Sequence, residues 1–191
     1  MRLVCYVLKA LIAYGTRYGA TSGTSEEIGK ILREKGFDVK IVNVKEEKIK
    51  DISEYDLIVV ASGMRMGKWV SEAEDFLKKF HKEFEHKKLA LFCSSVAAIA
   101  EKEGNTEEVA KIRKKALEDK VSKYGLKPVM TTLFGGILNY NKMGWMTRGM
   151  EVAFKSRLQN TGFKEAEPGI YDLRDWDEIR NWATELAEKA S

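Results

Sequence analysis

The stretch Gly15-Thr16-Arg17-Tyr18-Gly19-Ala20-Thr21 joins two contrasting patterns. Before it runs Ala10-Leu11-Ile12-Ala13-Tyr14, an apolar run of the length and composition of a buried strand. After it, Thr24, Ile28, Ile31 and Leu32 recur at helical spacing and share one face. A strand, a loop of hydroxyls and glycines, then a helix is a physical recipe for holding a phosphate. The helix start offers backbone N–H groups without intrahelical acceptors and a partial positive charge. Gly19 permits close approach of the backbone to an anion, and the hydroxyls of Thr16 and Thr21 can donate to its oxygens. The loop lacks the Gly-Lys-Ser/Thr of a Walker A sequence and the Gly-x-Gly-x-x-Gly of dinucleotide folds. An ordinary βα turn with hydroxyl caps is the competing reading of the same residues.

Outward from this loop, strands and helices alternate. A first strand is expected near 9–14 and a helix near 21–35, stopped by Gly36. The second strand is 38–44, and a short crossover at 46–53 leads to a third at 56–62. The run Leu57-Ile58-Val59-Val60-Ala61 shows no polar alternation, which suits a strand buried on both faces of a parallel sheet. A helix is expected over 69–80, with Trp69, Ala73, Phe76, Leu77 and Phe80 on one face. A fourth strand follows at 88–93. The helix over 106–124 opens with Glu107 and Glu108 and ends at Gly125, and a fifth strand covers 129–134. A last helix is expected over 175–190, with Asp175 three residues before Glu178 in capping-box spacing. This is an α/β doubly wound pattern. With the ligand loop after the first strand, a five-stranded parallel sheet of order 2-1-3-4-5 follows, with helices on both faces. Residues 9–191 read as one domain, and residues 1–8 as a strand extension or a segment upstream of the true start.

Such a fold places its ligand at the carboxyl ends of the first, third and fourth strands. Two further loops lie there. In Ser62-Gly63-Met64-Arg65-Met66-Gly67-Lys68, the glycines let backbone lie flat against a planar ring. Arg65 or Lys68 would favour negative charge on such a ring, and Met64, Met66 and Trp69 can cover an apolar ring face. A surface turn with solvated Arg and Lys is the alternative. In Ser94-Ser95-Val96-Ala97, the serines can donate to a carbonyl or hydroxyl of a ligand, or cap a helix. Leu138 to Leu158 carries Met143, Trp145, Met146, Met150 and Phe154, with basic residues between them. That face suits a crossover helix packed on the sheet, a membrane surface, or a pocket for a flat hydrophobic molecule.

The 191 residues are 44% hydrophobic and 32% charged, enough for a sizeable core. No stretch has the length of a membrane span. The net charge of +4 is spread among interleaved lysines and glutamates and does not argue for nucleic acid. Cys5 and Cys93 are too few for a disulfide framework or zinc site, which fits a cytoplasmic protein. His81 and His86 sit in a charged stretch as solvated residues, so no metal is expected.

With these residues in hand, the chain resembles the flavodoxin-like proteins, in which a Thr-x-x-Gly-x-Thr loop holds the phosphate of FMN. It is most similar to the menaquinone-dependent protoporphyrinogen IX dehydrogenases. The likeness rests on Thr16 to Thr21, on Ala61-Ser62-Gly63-Met64-Arg65-Met66-Gly67, and on Gly135-Gly136 with Tyr140, Trp145 and Arg148. Asp175-Trp176 at the last helix extends it. Met66 stands where that family has an aromatic residue. The resemblance implies an FMN-dependent oxidoreductase taking reducing equivalents from a hydrophobic substrate, with quinone or porphyrinogen as partner. Peripheral contact with a membrane is compatible with it. Thr16, Arg17, Tyr18, Gly19, Ala20 and Thr21 would hold the phosphate. Ser62 to Gly67 and Ser94 to Ala97 would flank the ring, and Tyr140, Lys142, Trp145 and Arg148 would border the substrate. No catalytic acid or base is expected. The alternative is an FMN electron carrier serving another redox protein.

Overall fold

The computed structural model describes residues 7–142 and 148–191, and of residues 148–153 the backbone alone. Five parallel strands form the main sheet: β1 (Lys9–Gly15), β2 (Asp38–Asn43), β3 (Leu57–Arg65), β5 (Lys88–Ser95) and β6 (Met130–Gly135). Their spatial order is β2-β1-β3-β5-β6, which is the expected 2-1-3-4-5. A two-residue strand, β4 (Lys68–Trp69), pairs antiparallel with the end of β3. Residues 1–6, most of the expected N-terminal extension, lie outside the described residues; the Leu8 carbonyl accepts the Asp38 N–H and so continues the β1–β2 alignment.

The central strands are apolar on both faces because helices cover both. Leu11, Ala13, Ile58, Val60 and Leu91 point into one core with Phe76, Leu77 and Phe80 of α2 (Ser71–Phe80). Ala10, Ile12, Leu57, Val59 and Phe92 point into the other. There they meet Ile28 and Leu32 of α1 (Ala20–Glu34) and Trp182 and Leu186 of α7 (Trp176–Ala190). Phe92, Phe134 and Trp182 form an aromatic cluster with centroids 5.4–6.2 Å apart. Asp175 caps α7, accepting from Asp177 N and Glu178 N at 3.0 Å each.

Several expectations are corrected. Trp69 is not helical. It pairs with Met64 across the β3–β4 hairpin, and α2 starts at Ser71, after the Val70 N–H has donated to Ser62 Oγ at 2.9 Å. The segment 62–68 is therefore not a loop but the end of β3 and a hairpin, because β5 and β4 pair its backbone groups. The helix over 106–124 is α4 (Thr106–Arg113), a π turn over Lys114–Glu118, and α5 (Asp119–Tyr124) in series. Ser95 Oγ accepts the Ala97 N–H at 3.2 Å and opens an unexpected short helix, α3 (Ala97–Lys102).

The largest departure follows β6. The strands β7 (Ile137–Asn139), β8 (Glu165–Glu167) and β9 (Ile170–Asp172) form a second, antiparallel sheet in the order β7-β9-β8. With α6 (Arg148–Thr161) it encloses a third core of Ile99, Leu138, Tyr140, Leu158, Tyr171 and Leu173. The helix after the fifth strand thus packs on this satellite core, and α7 takes the place on the main sheet expected for a crossover helix. No helix among the described residues is long and apolar enough to cross a membrane.

Candidate functional site

A cleft opens at the carboxyl ends of β1, β3, β5 and β6. Its first wall is the turn from β1 into α1. Thr16 Oγ1 accepts the Gly19 N–H at 3.0 Å and closes the turn. Gly19 takes φ 89°, a left-handed conformation natural to glycine, and so turns the chain into the helix without a side chain over its end. The first helical bond runs from Gly23 N–H to the Gly19 carbonyl, so the N–H groups of Ala20, Thr21 and Ser22 belong to the unsatisfied first turn. Nothing offsets them: α1 has no side-chain cap and no acid in its first turn. By contrast, α2, α4 and α7 each begin with two acidic residues.

Two hydroxyls deepen this deficit. Thr21 Oγ1 and Ser94 Oγ are buried and have no hydrogen-bond partner among the described residues. Leaving such a group unmade costs about 1–3 kcal/mol, so a polar ligand at this position would relieve the fold. Gly63 lies directly opposite; a Cβ there would come within 3.3 Å of Thr21 Oγ1.

The second wall is the β3–β4 hairpin. Arg65 pairs with Lys68 across a two-residue turn in which Met66 (φ 52°) and Gly67 (φ 75°) are both left-handed, as a type I′ turn demands. Met66 stands 77% exposed at the tip, while Met64 and Arg65 face the cleft. The third wall comes from Ser94, Ser95 and Val96 after β5. The fourth is apolar: Gly136, Ile137, Leu138 and Phe154. Among the described residues no acidic side chain lines the cleft, whereas Arg17 and Arg65 do, and neither of these forms an ion pair with a described carboxylate. The cleft therefore carries a positive field suited to an anion.

Most of the expected residues meet here: Thr16, Arg17, Tyr18, Ala20, Thr21, Gly63, Met64, Arg65, Met66, Ser94, Ser95 and Val96 line one cleft. Others do not. Gly19 shapes the turn from outside the lining. Ser62 spends its hydroxyl inside the fold, accepting from Val70 N–H and donating to the Gly63 carbonyl. Gly67 is on the outer turn, and Ala97 is buried in α3. Trp69 points away, its indole N–H donating to the Ala116 carbonyl at 2.7 Å. On the substrate side, Tyr140 is only 8% exposed and packs edge-on against Tyr171 at 5.9 Å. It belongs to the satellite core and not to the cleft. Lys142 is exposed and away from the lining. Trp145 lies outside the described residues, and of Arg148 only the backbone, at the start of α6, is described. Sequence reading missed Ile137, and offered Leu138 and Phe154 only as part of a segment, 138–158, that suited a crossover helix, a membrane surface or a pocket. The Gly135-Gly136 pair at the carboxyl end of β6 marked the place, but not the wall built on it.

The model of the flavodoxin domain matches residues 11–159. The chain belongs to the flavodoxin domain family. Among curated proteins it is 25% identical over 181 residues to the quinone-dependent protoporphyrinogen IX dehydrogenase of Escherichia coli K12, covering 94% of this chain and 95% of that one. Among solved structures it resembles a Fusobacterium nucleatum flavodoxin bound to flavin mononucleotide, with TM-score 0.51, 17% identity and 95% of each chain covered. It also resembles part of the rubredoxin:oxygen oxidoreductase of Desulfovibrio gigas, with TM-score 0.55 and 14% identity. That match covers 95% of this chain but 36% of the other, so the chain spans about a third of that enzyme's length. These structural likenesses concern the fold.

Proposed function

We propose that the chain holds FMN in this cleft and acts as an oxidoreductase of the quinone-dependent protoporphyrinogen dehydrogenase type. The observation that carries the cofactor is the uncapped start of α1 beside two buried hydroxyls without partners, Thr21 and Ser94. Those groups fit a phosphate and a polar ring edge or ribityl chain; the fold also buries Thr24 and Ser25 hydroxyls without partners among the described residues, but Thr21 and Ser94 are the two that line the cleft. Thr16, Thr21 and the N–H groups of the first turn of α1 would hold the phosphate. Residues 63–66 and 94–96 would flank the ring. Bound there, FMN supplies a centre that accepts two reducing equivalents from one partner and yields them to another.

The chain's own residues set the conditions for that exchange. Arg65 places a positive charge, held by strand pairing, beside the site where negative charge accumulates on reduction. Ile137, Leu138 and Phe154 exclude water from one side and present an apolar surface to a flat substrate. The described residues that line the cleft would supply orientation and electrostatics. Full-length similarity to a protoporphyrinogen dehydrogenase supports this activity. Lipid-soluble quinone suits the apolar wall.

The purified protein provides the test. The expected result is a yellow protein that binds FMN one to one and riboflavin weakly. Its visible spectrum should bleach with protoporphyrinogen IX and return with a naphthoquinone. A yellow protein that exchanges with neither, but does so with a redox protein, would replace the enzyme by the electron carrier. A colourless protein that takes up no FMN rejects both.

A further inference from the structure

The apolar wall of the cleft is held by a charge clamp outside it. Phe154 reaches the cleft from α6, and one turn further on Arg157 leaves the same helix. The Arg157 guanidinium is gripped on both sides. Its Nε donates to Glu103 Oε1 at 2.8 Å, and its Nη1 and Nη2 donate to Glu108 Oε1 and Oε2 at 3.0 and 2.8 Å. A further Nη2 bond reaches Glu103 Oε2. The guanidinium also sits 5.9 Å from the Phe154 ring centroid. Glu103 follows α3, which begins directly after the cleft residues Ser95 and Val96, and Glu108 lies in the first turn of α4. The side chains of Glu103, Arg157 and Glu108 are 25%, 28% and 34% exposed. One cation thus joins the segment behind the serine wall to the helix that carries the apolar wall.

We infer that Arg157 is a positioning residue: by bridging Glu103 and Glu108 it fixes α6 and the Phe154 face, and so sets the width of the substrate side of the cleft. The inference rests on the proposed reading of the cleft as a flavin site with an apolar substrate wall. The arrangement is more than a surface ion pair. Two carboxylates converge on one guanidinium, whose planar fork matches both. The mutual attraction holds the Glu103 carboxyl below its usual range and raises Arg157. Without the guanidinium, two partly exposed carboxylates would face each other with no cation between them, and α6 would lose its charged tie to the α3–α4 connection, keeping the packing of Leu158 with Ile99. The satellite core retains Leu158 and Tyr171, so the helix should loosen and shift rather than unfold.

Arg157→Met keeps most of the stem and removes the charge. In full-length protein, hydrogen exchange of amides 154–161 should speed up by about tenfold. KM for menadione, a naphthoquinone without a tail, should rise about fivefold, with kcat and FMN Kd within about twofold of wild type. Arg157→Lys, which keeps one cation between the acids, should recover most of the KM. If Arg157→Met fails to fold, the Glu103→Gln/Glu108→Gln double variant carries the same test, since it removes the charge attraction without changing volume. Faster exchange with unchanged KM would overturn the positioning role and leave Arg157 structural. Unchanged exchange would overturn the clamp itself. A loss of FMN affinity as large as the rise in KM would move Arg157 to the cofactor side and overturn the inference. Failure of wild-type protein to bind FMN would reject the flavin reading separately, because the exchange measurement needs no cofactor.

Discussion

Thr21→Val should move the stability of the empty protein and its affinity for FMN in opposite directions. Thr21 is 1% exposed, its hydroxyl has no acceptor or donor in the fold, and it faces Gly63 across the cleft. Valine has nearly the same volume, so the substitution exchanges a buried unmade hydroxyl for a methyl. Removing such a group recovers part of a penalty of about 1–3 kcal/mol. Valine and threonine are both β-branched and nearly equal in helix propensity, so the position in the helix adds little to this. The net expectation for apo-protein is a gain of about 1 kcal/mol, or about 2–4 °C in melting temperature for a chain of this size. With phosphate bound the sign reverses. A hydrogen bond to a charged group is worth about 1.5–3 kcal/mol, so FMN Kd should rise about 10- to 150-fold.

Riboflavin, which lacks the phosphate, should bind the variant as it binds wild type. Apo melting curves and fluorescence-quenching titrations with both ligands read all three quantities. Destabilisation of the apo-protein by more than about 1 kcal/mol would mean that the hydroxyl is satisfied within the fold, and would remove the main argument for a ligand. Equal losses for FMN and riboflavin would place the phosphate elsewhere.

Three further outcomes test other parts of the structure. Arg65→Gln should lower the two-electron potential of the bound flavin by tens of millivolts, at about 30 mV per 1.4 kcal/mol; an unchanged potential with flavin still bound would put Arg65 in solvent. Burial pushes the Glu74 carboxyl up, but hydrogen bonds from Lys120, Lys123 and Tyr124 outweigh it and bring it down to about 2. A carboxyl depressed on folding stabilises above its ordinary range near 4.5 and ceases to do so as pH falls towards 2. Glu74→Gln should therefore cost about 1–2 kcal/mol at pH 7, after allowance for solvent screening, and almost nothing near pH 2; denaturant melts at the two pH values decide. Gly135→Ala would drive a Cβ into the Leu173 carbonyl where β6 passes the segment leading to α7. It should cost about 3 kcal/mol or more, and a melt within about 1 kcal/mol of wild type would show that this backbone crossing yields easily.

The half of the site that could be read from the sequence is the half built locally. Thr16 to Thr21 directly follow β1, Arg65 and Ser94 lie at the carboxyl ends of β3 and β5, and parallel strands bring those ends together whatever lies between. The uninterrupted apolar run of β3 announced burial on both faces, and the ligand loop after β1 pointed to the strand order. Asp175 announced its helix because capping is decided within four residues. The β3–β4 hairpin escaped because its turn is Met66-Gly67 and not the Asn-Gly that usually marks such a turn. Without that mark, Trp69 fell into the helical spacing of Ala73, Phe76 and Phe80. The structure resolves the ambiguity through Ser62, which takes the Val70 N–H that would otherwise belong to an earlier helical turn.

The fourth wall was hidden for a different reason. Leu138 lies opposite Tyr171 in β9, over thirty residues downstream, and three-residue strands carry almost no periodic signal. Tyr140, aromatic and polar among basic neighbours, has the composition of a binding residue. Only the pairing of β7 with β9 turns it inward onto Tyr171 and turns Ile137 and Leu138 towards the cleft. The apolar wall and Phe154 therefore depend on a satellite core that the main sheet does not build. A relative that kept β1 to β6 but rearranged this second sheet would keep the phosphate loop, Arg65 and the serines. It would lose the apolar wall proposed to face a flat substrate. On that proposal, cofactor and substrate specificity reside in separate layers of the fold, and substitutions in the satellite core should alter KM for the substrate while leaving FMN affinity near its original value.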